Sequence, residues 1–238
     1  MKIIKKISIV IPVYNEGKRA VETVNNILNN IKNDLILVND GSSDNSQKLL
    51  EKNFSKNKRV KIVSHTINRG KGVAMKTGAK IAWKSGADAV IFIDADGQHD
   101  PKLLKNFEKS LLSGDDVAIG VRINKSQMSF FRKFSNWLIR VILAVLYGQT
   151  IDDMLCGYRA MTKKAYKKIR WTSPRYGVET EMMCNIWQSG LNYRKIVVET
   201  IYTEKRKQKK DCFTTKDGLK ILLQLPYWWW RGRSRGKM

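Results

Sequence analysis

Residues 89–101 read AVIFIDADGQHDP. The opening run, Ala89–Ile93, is short, apolar and bounded by turn formers, which is the pattern of a strand buried on both faces. Directly beyond it stand Asp94 and Asp96, with Gln98 two residues on and Asp100 ahead of Pro101. Two carboxylates aimed the same way at a strand end repel one another unless a cation lies between them. Oxygen ligands of this kind suit Mg2+ or Mn2+, which typically combine one or two carboxylates with substrate phosphates and water. A lone D-x-D is most often a solvated turn, but behind so apolar a run the metal-binding reading gains weight. Pro101 suits a first helical turn, with Asp100 as its cap.

Working outward, the same grammar repeats. Ile7–Val13, Leu35–Asn39, Val60–Ser64 and Val117–Val121 read as further buried strands, and Arg19–Ile31, Asp44–Asn53, Gly72–Lys84 and Pro101–Leu112 as amphipathic helices between them. Strand–helix alternation implies an α/β fold, a mostly parallel sheet with helices on both faces. Ligands of such sheets sit beyond the carboxyl ends of the strands. Four segments occupy those places: IPVYNEG (11–17), VNDGSSDNS (38–46), HTINRGKGVAMKTGA (65–79) and FIDADGQHDP (92–101). Asp40-Gly41-Ser42 also reads as an ordinary turn, with a helix cap at Ser43 or Asp44.

After residue 121 the pattern changes. A basic, aromatic helix is expected over Met128–Leu146, a loop with Asp152 and Asp153 leads into CGYRAM, and a helix over Val178–Gln188 precedes a strand at Tyr193–Thr200. A basic run, EKRKQKKD (204–211), is followed by a last apolar segment and the tail LPYWWWRGRSRGKM, expected to be disordered from about Arg231. Three parts are expected: 1–121 and 122–226 as the two halves of a single domain, and 227–238 as an aromatic, basic tail.

Composition narrows the class. The 238 residues carry a net charge of +24, with 9% aromatics and four prolines, so the chain can bury a core and is not a disordered one. Residues 1–121 hold 20 basic and 13 acidic side chains, a net of +7, whereas 122–238 hold 25 and 8, a net of +17. Such a field attracts an anionic partner: nucleic acid, an acidic membrane surface or a phosphorylated substrate. Cys156, Cys184 and Cys212 form no C-x-x-C pair, which speaks against a disulfide framework and for buried fillers in a reducing compartment. The first residues read as a strand, not a signal peptide. The longest apolar stretch, Trp137–Tyr147, would cover about 16 Å as a helix, short of a hydrocarbon core of about 30 Å.

Taken together, NDGSSDNS, NRGKGVAMKTGA, DADGQHDP and DMLCGYRA, in this order, resemble family 2 glycosyltransferases of the GT-A (Rossmann-like) fold, with a closer likeness to the dolichyl-phosphate mannose and glucose synthase branch. The resemblance covers roughly residues 5–200. It implies that Pro12, Tyr14 and Glu16 line a base and ribose pocket, that Asp40 and Ser42 hold the nucleoside, and that Lys71, Asp94, Ala95 and Asp96 contact the nucleotide-sugar. Tyr14 offers a stacking face, and Glu16 and Asp40 can accept hydrogen bonds. Arg69 and Lys71 lie in a Gly-bracketed loop that could approach a diphosphate. Asp94, Asp96 and Gln98 match the positions that hold Mg2+ or Mn2+ on the donor, and one in-line displacement on an α-linked donor such as GDP-mannose or UDP-glucose would give a β-linked product; a UDP-N-acetylhexosamine is a further candidate.

The acceptor decides what else is needed. A hydroxyl requires a general base, whereas a polyprenyl (dolichyl) phosphate is already an anionic nucleophile near neutral pH and needs cations to position it. The resemblance places Arg122, Arg132 and Ser135 on that phosphate, and Asp153 and Glu181 at later acidic positions that would orient the sugar or act as base. Arg159 is expected to support its loop. Lys205, Arg206 and Lys210 stand in for the relatives' mobile diphosphate loop, from which this chain departs by lacking its Gly and Ser. His99 is read as orienting the metal loop, and neither it nor His65 as a base. Phe130, Phe131, Phe134 and Trp137 near Arg132, Lys133 and Arg140, and Tyr227–Trp230 near the terminal basic residues, suit an amphipathic face lying on an anionic membrane at its cytoplasmic side. The alternatives are a family 2 transferase acting on a glycan or glycolipid hydroxyl and, from a different class, a basic nucleic-acid-binding protein. Against the last, no helix-turn-helix, RNP or zinc-finger signature appears, so no specific nucleic acid is expected.

Overall fold

The computed structural model describes residues 3–122, 130–149, 153, 155–175, 177–199 and 215–235, with side chains described for all of these except 130–136, 215–219 and 232–235. The expected strands form: β1 (Ile7–Val13), β2 (Asp34–Asp40), β3 (Val60–His65), β4 (Ala89–Phe92) and β5 (Val117–Arg122). Between them run α1 (Gly17–Asn30), α2 (Ser46–Phe54), α3 (Lys71–Lys84) and, after a 3-10 turn at Pro101–Leu103, α4 (Leu104–Leu112). Asp100 does cap that turn, its side chain accepting from the Lys102 N–H at 2.9 Å. The expected cap at Ser43 or Asp44 shifts: α2 starts at Ser46, whose N–H donates to Asp44 Oδ1 at 2.9 Å.

The later elements are α5 (Phe130–Tyr147), β6 (Arg159–Thr162), α6 (Lys163–Ile169), α7 (Val178–Gln188), β7 (Tyr193–Val198) and α8 (Thr215–Arg235). They join one sheet of order β3-β2-β1-β4-β6-β5-β7, parallel except for β6, which runs antiparallel to both β4 and β5. The two halves of the chain therefore share a single sheet.

Alternation along the strands builds a core on each face. Ile9, Ile11 and Val13 pack with Ala20, Val24 and Ile27 of α1, Leu50 and Phe54 of α2, and Phe107 of α4. Val10, Ile36 and Val38 face Ala74, Met75 and Ala79 of α3, in a cluster that continues through α5, α6, α7 and α8. Gly78 allows α3 its close approach, because a Cβ there would run into Val10.

The tail differs from the expectation. Residues 227–235 belong to α8, which continues through Pro226, and Trp228 is buried with Ile221 and Leu225 on its inner stripe. Gln188 Nε2 donates to the Trp229 carbonyl at 2.9 Å, and Trp229 Nε1 donates to the Leu146 carbonyl at 2.6 Å. A helix held this way is neither a separate tail nor a disordered one. Among the described residues no helix is long and apolar enough to cross a membrane.

Because β1 leads to β2 and β3 on one side while β4 lies on the other, the strand order reverses between β1 and β4. The crevice beyond their carboxyl ends is where an open sheet of this kind binds its ligand.

Candidate active site

At that crevice the loop after β4 brings Asp94 and Asp96 to the surface. Asp96 Oδ1 accepts from the Gln98 N–H at 3.0 Å, which tightens the loop, while the buried Ala95 gives its carbonyl to Thr23 Oγ1 at 3.2 Å. Ala95 is thus buried, with its carbonyl turned toward α1. His99 is buried beside Tyr158, ring centroids 5.2 Å apart, with Nε2 at 3.8 Å from Asp94 Oδ2. His99 thus flanks Asp94 from the buried side.

The central feature is an ammonium between two carboxylates. Lys71, at the start of α3, puts Nζ 2.6 Å from Asp94 Oδ1 and 2.8 Å from Glu179 Oε1. Burial works against the charge on Lys71, but Asp94 and Glu179 outweigh it and hold the amine well above its ordinary range. Burial likewise opposes the Asp94 carboxylate, and Lys71 with His99 outweighs that and keeps it far below the usual range. The cluster needs Gly157: a Cβ there would collide with both the Asp94 carboxylate and the Lys71 ammonium.

Two acids expected to touch substrate hold the Lys71 loop. Asp40 is buried, and its carboxylate accepts from the N–H groups of Arg69 (3.0 Å) and Gly70 (2.7 Å), with His65 Nδ1 at 2.7 Å. These bonds make Asp40 a support of the Lys71 loop, beside the role expected of it on the nucleoside. Glu181 is 1% exposed and accepts from the N–H (2.8 Å) and hydroxyl (2.8 Å) of Thr172 and the N–H of Ser173 (2.7 Å). The segment it fixes grips the other side of the Lys71 loop, with Gly72 N–H donating to the Pro174 carbonyl at 2.8 Å and Trp171 Nε1 to the Gly72 carbonyl at 3.0 Å. The expectation that Glu181 orients sugar or acts as base is therefore corrected.

Glu179 holds the place given to Glu181. Successive helical residues differ by about 100°, so two glutamates two apart on α7 point to opposite sides. The acidic dipeptide spacing in VETEMM was the signal, but it does not say which glutamate faces the crevice. Arg159, fully buried on β6, sets Glu179 by donating from Nη1 to its backbone carbonyl at 2.7 Å and from Nε to the Cys156 carbonyl at 3.0 Å. This is the loop support expected of Arg159.

On the acceptor side Asp153 is 6% exposed and clamped by Arg122, Nε to Oδ2 at 2.5 Å and Nη2 to Oδ1 at 2.8 Å, with further bonds from the Arg122 and Leu155 N–H groups. Burial raises the carboxyl, and the Arg122 guanidinium outweighs it and holds Asp153 below the ordinary carboxylate range. A carboxylate so engaged is a poor proton acceptor, which corrects the expectation of Asp153 as base. Arg122 itself sits at the strand end as expected, 23% exposed along its side chain. The side chains of Arg132 and Ser135 on α5, and Lys205, Arg206 and Lys210, lie outside the described residues.

On the donor side, Tyr14 is 38% exposed at the end of β1, where Pro12 is half-buried. Ser42 Oγ accepts from the Asn15 N–H at 3.0 Å and Glu16 N–H donates to Ser46 Oγ at 3.1 Å, so the loops after β1 and β2 are pinned together at the rim. The two described cysteines are buried fillers, Cys156 pushed up to about 11 and Cys184 to about 12, mainly by burial.

Among the described residues no group of three His, Cys, Asp or Glu gathers to hold a metal alone. Asp94, Asp96 and Gln98 do supply the hard oxygen donors that Mg2+ or Mn2+ takes when phosphates and water complete the shell, so these residues fit a cation shared with a bound diphosphate.

Comparison with known proteins agrees with this geometry. The family model described as Glycosyl transferase family 2 matches residues 8–170. A UDP-N-acetylglucosamine–dolichyl-phosphate N-acetylglucosaminyltransferase of Methanococcus voltae is 32% identical over 219 residues, covering 84% of this chain and 87% of that one. An undecaprenyl-phosphate 4-deoxy-4-formamido-L-arabinose transferase of Proteus mirabilis is 34% identical over 164 residues, 66% of this chain and 49% of that protein. Glucosyl-3-phosphoglycerate synthase from Mycobacterium tuberculosis, solved with Mn2+, UDP and glucosyl-3-phosphoglycerate, superposes with a TM-score of 0.70 at 17% identity, over 94% of this chain and 80% of that one. That likeness shows a GT-A fold.

Proposed function

The chain belongs to glycosyl transferase family 2, and on that premise we propose that it transfers one sugar from a nucleoside-diphosphate sugar to a polyprenyl phosphate at a membrane surface, by a metal-dependent inverting displacement. The observation that carries this reading is the clamped Asp153. A hydroxyl acceptor would need a base with a pKa near the working pH, and Asp153 is instead neutralised by Arg122 and shifted downward. A phosphate monoester arrives already ionised. It needs cations to position it, and the second half of the chain carries a net charge of +17. The Methanococcus voltae and Proteus mirabilis relatives, named for dolichyl- and undecaprenyl-phosphate acceptors, support the same choice.

In this mechanism Tyr14 stacks on the base and Glu16 binds the ribose at the rim. An acceptor phosphate oxygen forms its bond to the sugar C1 as the bond from C1 to the diphosphate breaks on the opposite side, so an α-linked donor yields a β-linked product. Lys71 lies beside the developing diphosphate charge, held at its post by Asp40 and the segment fixed by Glu181. A Mg2+ or Mn2+ bound by Asp94, Asp96 and Gln98 would supply further positive charge against the leaving group.

The membrane part rests on α5 and α8. Trp137, Val141 and Val145 form one exposed stripe, and Leu223, Tyr227 and Trp230 another, on helices that pack together. Exposed Arg140 and Lys220 lie on the same helices, and basic residues add about 1 kcal/mol each on an anionic leaflet.

The test incubates the protein with Mn2+, a polyprenyl phosphate and labelled UDP-N-acetylglucosamine, UDP-glucose or GDP-mannose. Label should enter the organic phase with one donor and not with Asp96→Ala. Transfer to a glycan hydroxyl without any polyprenyl phosphate would replace this reading with the hydroxyl-acceptor one.

A further inference from the structure

The Lys71 ammonium sits on the same carboxylate that a divalent ion would need. Its distance to Asp94 Oδ1 is 2.6 Å, and its second partner, Glu179 Oε1, is 2.8 Å away. Like charges within a few ångströms in a partly buried crevice repel strongly, so a metal at Asp94 is disfavoured while the ammonium remains in contact with it. The backbone around Lys71 is not free to retreat. Asp40 holds the N–H groups of residues 69 and 70, and Pro174 and Trp171 hold Gly72. What can move is the flexible lysine stem, and Glu179 offers the amine a second carboxylate after it leaves the first.

We propose that Lys71 is an internal counter-cation that competes with the metal for Asp94, making metal and diphosphate bind as a coupled pair. The diphosphate offers Lys71 new anionic partners and draws it from Asp94; the vacated oxygen then accepts the metal, which the diphosphate also ligates. Glu179 is a positioning residue that keeps the ammonium within reach of both arrangements. In the absence of nucleotide the ammonium already occupies the Asp94 oxygen, so a divalent ion has to displace it to bind there. This inference rests on the donor-site reading given above and adds to it an order of events.

The experiment measures Mn2+ affinity of the full chain from the electron paramagnetic resonance signal of free Mn2+. It is run alone and with saturating UDP or GDP, and corrected for Mn2+ held by free nucleotide. The wild-type protein should bind Mn2+ at least about tenfold more tightly with a nucleoside diphosphate present, within the usual span of coupling between sites. Lys71→Met should bind Mn2+ alone on the order of tenfold more tightly than wild type, and its coupling ratio should shrink to the part that direct ligation by the diphosphate supplies. Lys71→Gln repeats the measurement should the Met variant not fold. If the lysine variants tighten Mn2+ equally with and without nucleotide, leaving the ratio unchanged, Lys71 acts only through its general field and the proposal fails while the donor site stands. If the wild-type chain binds neither Mn2+ nor nucleotide, the donor-site reading fails and takes this one with it.

Discussion

The two glutamates of α7 give opposite expectations, and Glu181 is the sharper case. Glu181→Gln keeps one carbonyl oxygen for Thr172 but turns an amide N–H2 toward groups that bond Oε2: the N–H of Ser173 at 2.7 Å and of Thr172 at 2.9 Å. With the side chain 1% exposed, no water compensates. A hydrogen bond to a charged group contributes about 1.5–3 kcal/mol, so losing one and straining another should cost ~3 kcal/mol. For a chain of this size each kcal/mol moves the melting temperature by about 2–4 °C, which gives a drop of about 6–12 °C by far-ultraviolet circular dichroism. Sugar transfer measured well below the transition should fall less than about tenfold, because the glutamate acts through the 172–174 segment and not on the sugar. A melting temperature within 2 °C of wild type, together with abolished transfer, would show that Glu181 meets the substrate and that the anchoring argument is wrong.

Three further expectations follow from the same geometry. Asp153→Asn should lower stability by about 3 kcal/mol, the low end for breaking a buried ion pair. Because Asp153 is held below its ordinary 3.8, that contribution is complete above the unfolded carboxylate range and vanishes as pH falls through the folded value. The gap between wild type and variant in urea melts should therefore close as pH is lowered from 6 toward 3, and a gap independent of pH would contradict the pairing. Gly157→Ala should reduce kcat/KM by about 100-fold, the scale of a 1 Å misplacement at a reacting centre, since its methyl group would push both Lys71 and Asp94 from their places; unchanged kinetics would refute the crowding. Val145→Glu with Leu223→Glu, at sites 79% and 73% exposed, should leave the fold intact and abolish flotation with anionic liposomes, as two apolar insertions of about 1.5–3 kcal/mol each are lost. Co-flotation equal to wild type would remove those helices from the membrane.

The legible parts of the sequence were those where one residue's chemistry fixes its surroundings. Runs such as ISIVIPV and AVIF are buried on both faces, so apolar continuity alone identifies them, and acids placed just after them must lie at strand ends. β6 escaped because its four residues begin with a buried arginine, which is tolerable only with carbonyl partners supplied from residues 156 and 179. α8 escaped because Pro226, Gly218 and a terminal basic cluster all argue against a helix. The inner stripe of Ile221, Leu225 and Trp228 overrides those preferences by packing on α7. The site divided along the same line. Residue type announced that Asp40, Asp153 and Glu181 matter, but whether a carboxylate faces a ligand or an N–H of its own backbone depends on tertiary placement.

That division bears on why the second half carries so much positive charge. A nucleic-acid surface and a membrane surface both call for lysine and arginine, so charge alone does not separate them. The exposed apolar side chains do. Nucleic acids engage aromatic faces by stacking and sugars or bases by hydrogen bonds, uses to which Val141, Val145 and Leu223 contribute nothing. Aliphatic side chains left in water on neighbouring helices gain free energy only by entering a second apolar phase, and cations beside them favour an anionic boundary to that phase. A lipid-linked acceptor places its phosphate at this boundary. The proposed function would then meet two requirements with one arrangement: α5 and α8 would hold the chain on the leaflet, while α8 reaches back through Arg231, which donates to Thr172 Oγ1 at 2.7 Å, to the segment that positions Lys71.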